Sequence, residues 1–290
     1  METRPSSAAA TAGQSLRRRT RGTVNSRREE IAATFDLRAR GYRDSGWHRA
    51  SAERLVDLCG LKAASRVLDA GTGTGFAALH AARQVGSQGG AVVGVDLSQG
   101  MLSEARAEAA ASSLTNIEFI QCDATALAQF PDASFDVVTA ATSLIYIPVV
   151  EGLREWHRLL RRGGLMAFST MPAGFPMAGR LFRECAAEYG VVLDDPCAPL
   201  GSDGACHDAL AAAGFVDPRT VTDPIRFSAR DLDRAWESNL RSLAHKALRD
   251  LPAESLLALQ QRYETVLAAE LRADPAALLT SPMLYAFGRR

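Results

Sequence analysis

A chain of 290 residues, 47% of them hydrophobic, is long enough to bury one large core, with or without a covering lid. Lysine plus arginine balance aspartate plus glutamate at 33 each, so the formal charge is zero and the broad positive field used in non-specific nucleic-acid binding is missing. No window reaches the ~20 continuous apolar residues of a membrane span. The nearest, residues 137–150, is interrupted by Thr, Ser and Pro and reads as a buried strand running into a loop.

Five cysteines, Cys59, Cys122, Cys185, Cys197 and Cys206, form no C-x-x-C pair and read as reduced thiols in a cytoplasmic setting. A zinc set drawn from Cys185, Cys197, Cys206 and His207 fits no common ligand spacing, so no metal is expected.

Residues 1–30 are rich in Ser, Ala and Arg and too poor in apolar residues to bury much surface, so a disordered tail is expected, with an organellar transit peptide as the weaker reading. The folded part is expected to run from 31 to 290. Its centre alternates apolar strands with helical patterns: strands at 66–70, 91–96, 117–123, 135–142 and 164–170, and helices at 75–85, 101–111 and 149–161. In the last helix Val150, Leu153, Trp156 or His157, and Leu160 recur at helical spacing, and Gly163 fits a helix stop. Residues 204–215 read as a helix ended by Gly214. Residues 219–227 read as a sixth strand, placed near an edge by Pro224.

Residues 228–272 read as two amphipathic helices. Ser228 with Asp231 makes a capping-box start, and stripes of Leu232, Trp236, Leu240 and Leu243, then Leu256, Leu259, Tyr263 and Val266, need something to cover. Residues 281–290 supply a last strand. Strands apolar on both faces and alternating with helices imply a doubly wound, Rossmann-like α/β fold. Its sheet is expected to be seven-stranded and mostly parallel, with a helical lid inserted between the last two strands.

Chemistry concentrates at VLDAGTGTGF, residues 67–76. A buried strand runs into Gly71, Gly73 and Gly75 and then a helix, so the backbone can turn sharply and offer free N–H groups at the carboxyl end of the sheet, where ligands of open α/β folds bind. A dinucleotide fingerprint requires G-x-G-x-x-G, but position 76 is Phe, which argues against a nicotinamide oxidoreductase. The next strand ends in Asp96, about twenty residues further on, where a carboxylate can bond both ribose hydroxyls.

Asp69 before the glycine loop, VVGVDLSQGML around Asp96, Cys122-Asp123-Ala124 after the third strand, SFDVVTAATSLIYI on the fourth and LLRRGGLMAFS on the fifth together resemble the motifs of class I S-adenosylmethionine-dependent methyltransferases. The closest flavour is the group of ubiquinone/menaquinone C-methyltransferases and natural-product methyltransferases. The resemblance covers residues 35–227 and the final strand. It implies S-adenosylmethionine as cofactor, with Asp96 on the ribose, Asp123 on the adenine amino group and the Ala124 N–H against the ring. The full implied set is Tyr42, Asp69, Gly71, Thr72, Gly73, Gly75, Asp96, Leu97, Met101, Asp123, Ala124, Ala140 and Ser143. Tyr42 enters because such enzymes lay an N-terminal helix with a Tyr over the cofactor; ordinary packing of Phe35, Tyr42 and Trp47 reads the same segment equally well. Asp136 reads as structural.

The reaction implied is transfer of a methyl group to an O, N or C atom of a small, largely apolar molecule. A cyclisation or decarboxylation assisted by the same cofactor is the alternative. No general base stands out. His48, Tyr146 and His245 are the candidates, and a lone histidine is more often structural. The insert is expected to roof the acceptor pocket, with a homodimer face as the competing reading of its stripe.

Overall fold

The apolar runs form one seven-stranded sheet in the computed structural model, which describes residues 26–86 and 88–290. The strands are β1 (Arg66–Ala70), β2 (Ala91–Asp96), β3 (Ile117–Gln121), β4 (Phe135–Ala141), β5 (Leu160–Thr170), β6 (Val216–Arg226) and β7 (Thr280–Arg289). They lie in the order β3-β2-β1-β4-β5-β7-β6, with β7 antiparallel to both β5 and β6 and the other pairs parallel. From β1 the chain winds outward to β3, returns to β4 and winds the other way. This leaves a crevice at the carboxyl ends of β1 and β4, where ligands of such sheets bind. β6 is an edge strand, which is why Pro224 is tolerated in it.

Helices cover both faces, so most successive residues of the central strands are buried: Val67 belongs to one core layer and Leu68 to the other, each fully inaccessible. One layer holds α2 (Gly46–Cys59), α3 (Phe76–Val85) and α4 (Gln99–Ala111); the other holds α5 (Val149–Leu159) and α7 (Asp203–Ala212). Of the two candidates on α5, Trp156 faces inward, where its indole N–H donates to the Ala124 carbonyl at 2.8 Å.

Ahead of α2 lies a helix, α1, over residues 26–42. The boundary expected at residue 30 therefore falls inside α1, because Arg28 and Glu30 have partners on the rest of the fold. The remainder of the expected tail, residues 1–25, lies outside the described residues.

Two further departures have physical causes. α5 ends at Leu159 and β5 starts at the next residue, because buried Leu160 already pairs with Phe135. Gly163 is therefore no helix stop: it sits at φ +72° in an irregularity of β5, before Leu165 resumes pairing with Val137. The insert is also more broken than expected, comprising α8 (Ala229–Asp233), α9 (Ala235–Leu240), a 3₁₀ stretch Leu243–Asp250, α10 (Ala253–Ala273) and α11 (Pro275–Leu279). The Ser228–Asp231 capping box forms.

The insert packs on a helix the sequence did not announce, α6 (Met177–Glu188). Phe182, Leu248, Leu259 and Tyr263 form a third core there, with Leu232, Trp236, Leu240 and Val266 around it, and the Tyr263 hydroxyl donates to the Ala178 carbonyl at 3.1 Å. Most of the two apolar stripes is thus covered within the chain.

Candidate active site

The three glycines after β1 all have positive φ, and each is there for a different reason. At Gly71 a Cβ would fall 2.6 Å from that of Ser143, so β4's loop crosses directly over the turn. At Gly75 it would press on Ala105, Phe119 and Leu79 at 3.1–3.3 Å, so that glycine serves the packing of α3. At Gly73 it would meet nothing within 4 Å, and the open space is the cleft itself. The Gly71 and Thr72 N–H groups both donate to the Val95 carbonyl at 2.9 Å, tying the turn to β2.

Beneath the turn, buried Asp69 accepts from the Thr72 hydroxyl at 2.6 Å and the Thr139 hydroxyl at 2.8 Å. Burial pushes its pKa up to about 6, against the pull of those hydrogen bonds. Asp69 thus shapes the loop from behind.

At the end of β2, the Asp96 carboxylate accepts from the Gly73 N–H at 2.8 Å on one oxygen and from the Ser98 N–H at 2.9 Å on the other. Burial raises its pKa and these backbone donors hold it back. Asp123, after β3, accepts from the Thr125 N–H and hydroxyl, both at 2.8 Å, on Oδ1; its Oδ2 pairs with Arg28 of α1.

The cleft between these groups measures about 640 Å³ including its open mouth. Tyr42, Gly71, Gly73, Asp96, Leu97, Met101, Asp123, Ala124 and Ser143 line it, as does Tyr146. Four residues of the expected cofactor set are not in the lining. Asp69 and Thr72 lie behind the loop, Gly75 in the α3 contact, and Ala140 in the core.

Of the three base candidates, only Tyr146 lines the cleft. His48 is stacked on Trp47 with centroids 3.4 Å apart, packs on Tyr42, and bonds the Ser45 hydroxyl through Nδ1 at 2.6 Å. Desolvation, then the charge of Arg38, push its pKa down to about 3, so it is neutral and a weak base at physiological pH. His245 is buried in the insert, stacked on Phe182 and bonded to the Asn239 carbonyl.

Ile31, Phe35, Cys122, Ala141, Thr142 and Ile147 complete the lining. The sequence held a signal for the first two: positions 31, 35, 38 and 42 follow i, i+4, i+7, i+11, one face of a helix. The Ser- and Arg-rich composition just upstream masked it. Among the described residues no helix is long and apolar enough to cross a membrane, and no group of three or more His, Cys, Asp or Glu is placed to hold a metal.

A glycine turn after the first strand of a doubly wound sheet, with half-buried carboxylates at the ends of the second and third strands, defines an α/β protein built to hold a nucleoside-bearing ligand at the sheet's switch point. Residues 67–164 match the family described as methyltransferase domain. The chain is 36% identical over 149 residues to the aklanonic acid methyltransferase DauC of Streptomyces sp. (strain C5), spanning 50% of this chain and 67% of that one. It is 32% identical over 234 residues to the nocamycin O-methyltransferase of Saccharothrix syringae, spanning 71% and 81%. The YcgJ protein of Bacillus subtilis shares the fold at 18% identity, with a TM-score of 0.56 over 83% of this chain and 98% of that one. The chain belongs to the class I S-adenosylmethionine-dependent methyltransferases, and S-adenosylmethionine is its cofactor.

Proposed function

We propose that the chain methylates an O, N or C atom of a small, largely apolar molecule, as one catalytic domain that takes in α1 and the helical insert. The observation that carries this reading is the two-sided character of the cleft. Its floor is polar and set by backbone, with Gly71, Gly73, Asp96 and Asp123; its far wall is Ile31, Phe35, Tyr146 and Ile147. Relatives named as acting on aklanonic acid and as a nocamycin O-methyltransferase support a small-molecule acceptor.

The floor fits the cofactor on its own geometry. Each Asp96 oxygen accepts one backbone N–H and has a second lone pair free for a ribose hydroxyl. Gly73 keeps the space before it clear, and Ala124 is fixed by the Trp156 bond to its carbonyl. Asp123 would meet the adenine amino group after releasing Arg28. The bound cofactor supplies a methyl group already activated on sulfonium. What the chain adds is position and dryness: the glycine turn fixes the cofactor, and the aromatic wall of α1 and the β4 loop holds the acceptor against it away from water.

The test is calorimetric titration of wild type and Asp96→Ala with S-adenosylmethionine, S-adenosylhomocysteine and NADH, followed by mass analysis of small phenols, acids and amines after incubation with S-adenosylmethionine. Both sulfur ligands should bind at micromolar concentration, and Asp96→Ala should weaken them more than tenfold, on the order of a lost hydrogen-bonded charge. At least one apolar compound should gain one methyl group. Preference for NADH would overturn the cofactor assignment. Cofactor binding together with conversion of a substrate without methyl gain would move the chain to a cyclisation or decarboxylation of the same fold.

A further inference from the structure

α1 rests on the first turn of α4, and one side chain makes the joint. Phe35 lines the cleft, while the next residue, Asp36, reaches α4: its Oδ1 accepts from the Ser98 hydroxyl at 2.6 Å and from the Gly100 N–H at 2.8 Å. The two backbones are so close here that a Cβ on Gly100 would stand 3.0 Å from the Asp36 Oδ1 and 3.1 Å from its Cα. Just past α1, Arg43 pairs with Glu104 and Glu108 further along α4.

Ser98 is where this contact meets the cofactor floor. It is the N-cap of α4 and fully buried, and its hydroxyl oxygen accepts from the Met101 N–H at 3.1 Å. A hydroxyl has one proton to give, and Asp36 receives it. The Ser98 N–H in turn donates to Oδ1 of Asp96 at 2.9 Å. One buried residue is therefore held between two carboxylates, Asp36 of α1 and Asp96 at the end of β2. Asp36 also satisfies the Gly100 N–H, a free donor of the first turn of α4, where the helix dipole favours negative charge. Without Asp36 the buried Ser98 proton loses its acceptor, and the residue must shift to find another. The N–H that aims Asp96 shifts with it. α1 itself stays fastened, because Arg28, Glu30 and Arg43 keep their partners.

We infer that Asp36 is a positioning residue for cofactor binding, which through Ser98 sets the orientation of the Asp96 carboxylate toward the ribose. The inference rests on the reading of Asp96 as the ribose partner and extends it to a residue of α1 outside the cleft lining.

The test is a double-mutant cycle read by calorimetric titration with S-adenosylhomocysteine. Asp36→Ala should weaken binding about fivefold, the order of one hydrogen bond. Asp36→Asn keeps an acceptor oxygen in the same place and should stay within about twofold of wild type. Added to Asp96→Ala, Asp36→Ala should cost no more than about twofold further, because no carboxylate is left to aim. A residue that only stabilised the fold would cost the same factor in both backgrounds. Gly100→Ala is the second variant: Ala is the better helix former, so α4 itself is not weakened, but the new methyl presses on Asp36. It should bind S-adenosylhomocysteine about threefold more weakly in the wild-type background and cost nothing further beside Asp96→Ala.

Wild-type affinity in Asp36→Ala, an Asp36→Asn as weak as Asp36→Ala, or the fivefold loss repeated beside Asp96→Ala would overturn the inference. So would Gly100→Ala binding as wild type, or losing its threefold again beside Asp96→Ala, and this arm decides the matter even where Asp36→Ala does not fold. An Asp96→Ala that binds as tightly as wild type would be a distinct result: it would overturn the ribose assignment, and the inference with it.

Discussion

Asp69 gives the most direct thermodynamic test of how the glycine turn is built. In the unfolded chain its carboxyl ionises near the ordinary 3.8; in the fold, burial defers this to about 6. Between those values the native state holds a proton that the unfolded state has lost, so stability falls as pH rises through the window and the cost is complete above it. The difference corresponds to about 3 kcal/mol. Asn has the same shape and no charge to desolvate. It can still accept from one threonine, while the Thr139 hydroxyl has the Leu68 carbonyl at 3.4 Å as an alternative. Urea unfolding of wild type and Asp69→Asn should therefore show the variant gaining about 3 kcal/mol on wild type between pH 3.5 and pH 7, with most of the change between 4 and 6. Other titrating groups are common to both proteins and cancel. Parallel stability curves would refute the reasoning and place Asp69 in an environment far more polar than its 1% exposure implies.

Three further outcomes follow from the same geometry. Gly71→Ala should lose about 3 kcal/mol in urea unfolding, combining the left-handed backbone with a Cβ that would lie 2.6 Å from Ser143, whereas Gly73→Ala should lose only about 1 kcal/mol yet bind S-adenosylhomocysteine more than about tenfold more weakly, because its methyl enters the cleft. Arg28→Ala should tighten S-adenosylhomocysteine about two- to fivefold by calorimetry, since Asp123 no longer has to exchange an exposed ion pair for the ligand. Tyr263→Phe should lower stability by about 1 kcal/mol, through loss of the hydroxyl's bond to the Ala178 carbonyl beneath the insert.

The polar floor of the cleft was legible in the sequence because its residues sit at the ends of consecutive strands: Gly71 and Gly73 after β1, Asp96 ending β2, Asp123 after β3. Strand ends are marked by where apolar runs stop, and the fold rule for parallel sheets brings those ends together. Asp69, Thr72, Gly75 and Ala140 lie in the same motif segments but outside the cleft lining, since a one-dimensional motif does not say which side of the turn a residue faces. Gly163 misled for a related reason: a glycine that relieves a strand irregularity looks the same as one that ends a helix. The far wall was less legible. Ile31, Phe35 and Ile147 come from α1 and the β4 loop, and their encounter depends on a tertiary approach that no local period encodes. His245 is absent from the cleft lining because the insert packs on α6, where its ring stacks on Phe182.

The expected roof is therefore built in two stages. The insert covers α6, and what closes the cleft is α1. α1 is fastened at three places: by Arg28 to Asp123 on the cofactor floor, by Asp36 to the Ser98 hydroxyl and the Gly100 N–H at the start of α4, and by Glu30 to Lys246 and Arg249 of the insert. The ion pairs are at least partly exposed, and such pairs contribute about 1 kcal/mol or less each. Ile31 and Phe35 face the cleft itself, while Ala39 is buried and Tyr42 packs against the core layer beside Phe76. Among the described residues, the insert meets the cleft's wall through Glu30 of α1, whose helix neighbours Ile31 and Phe35 line the cleft.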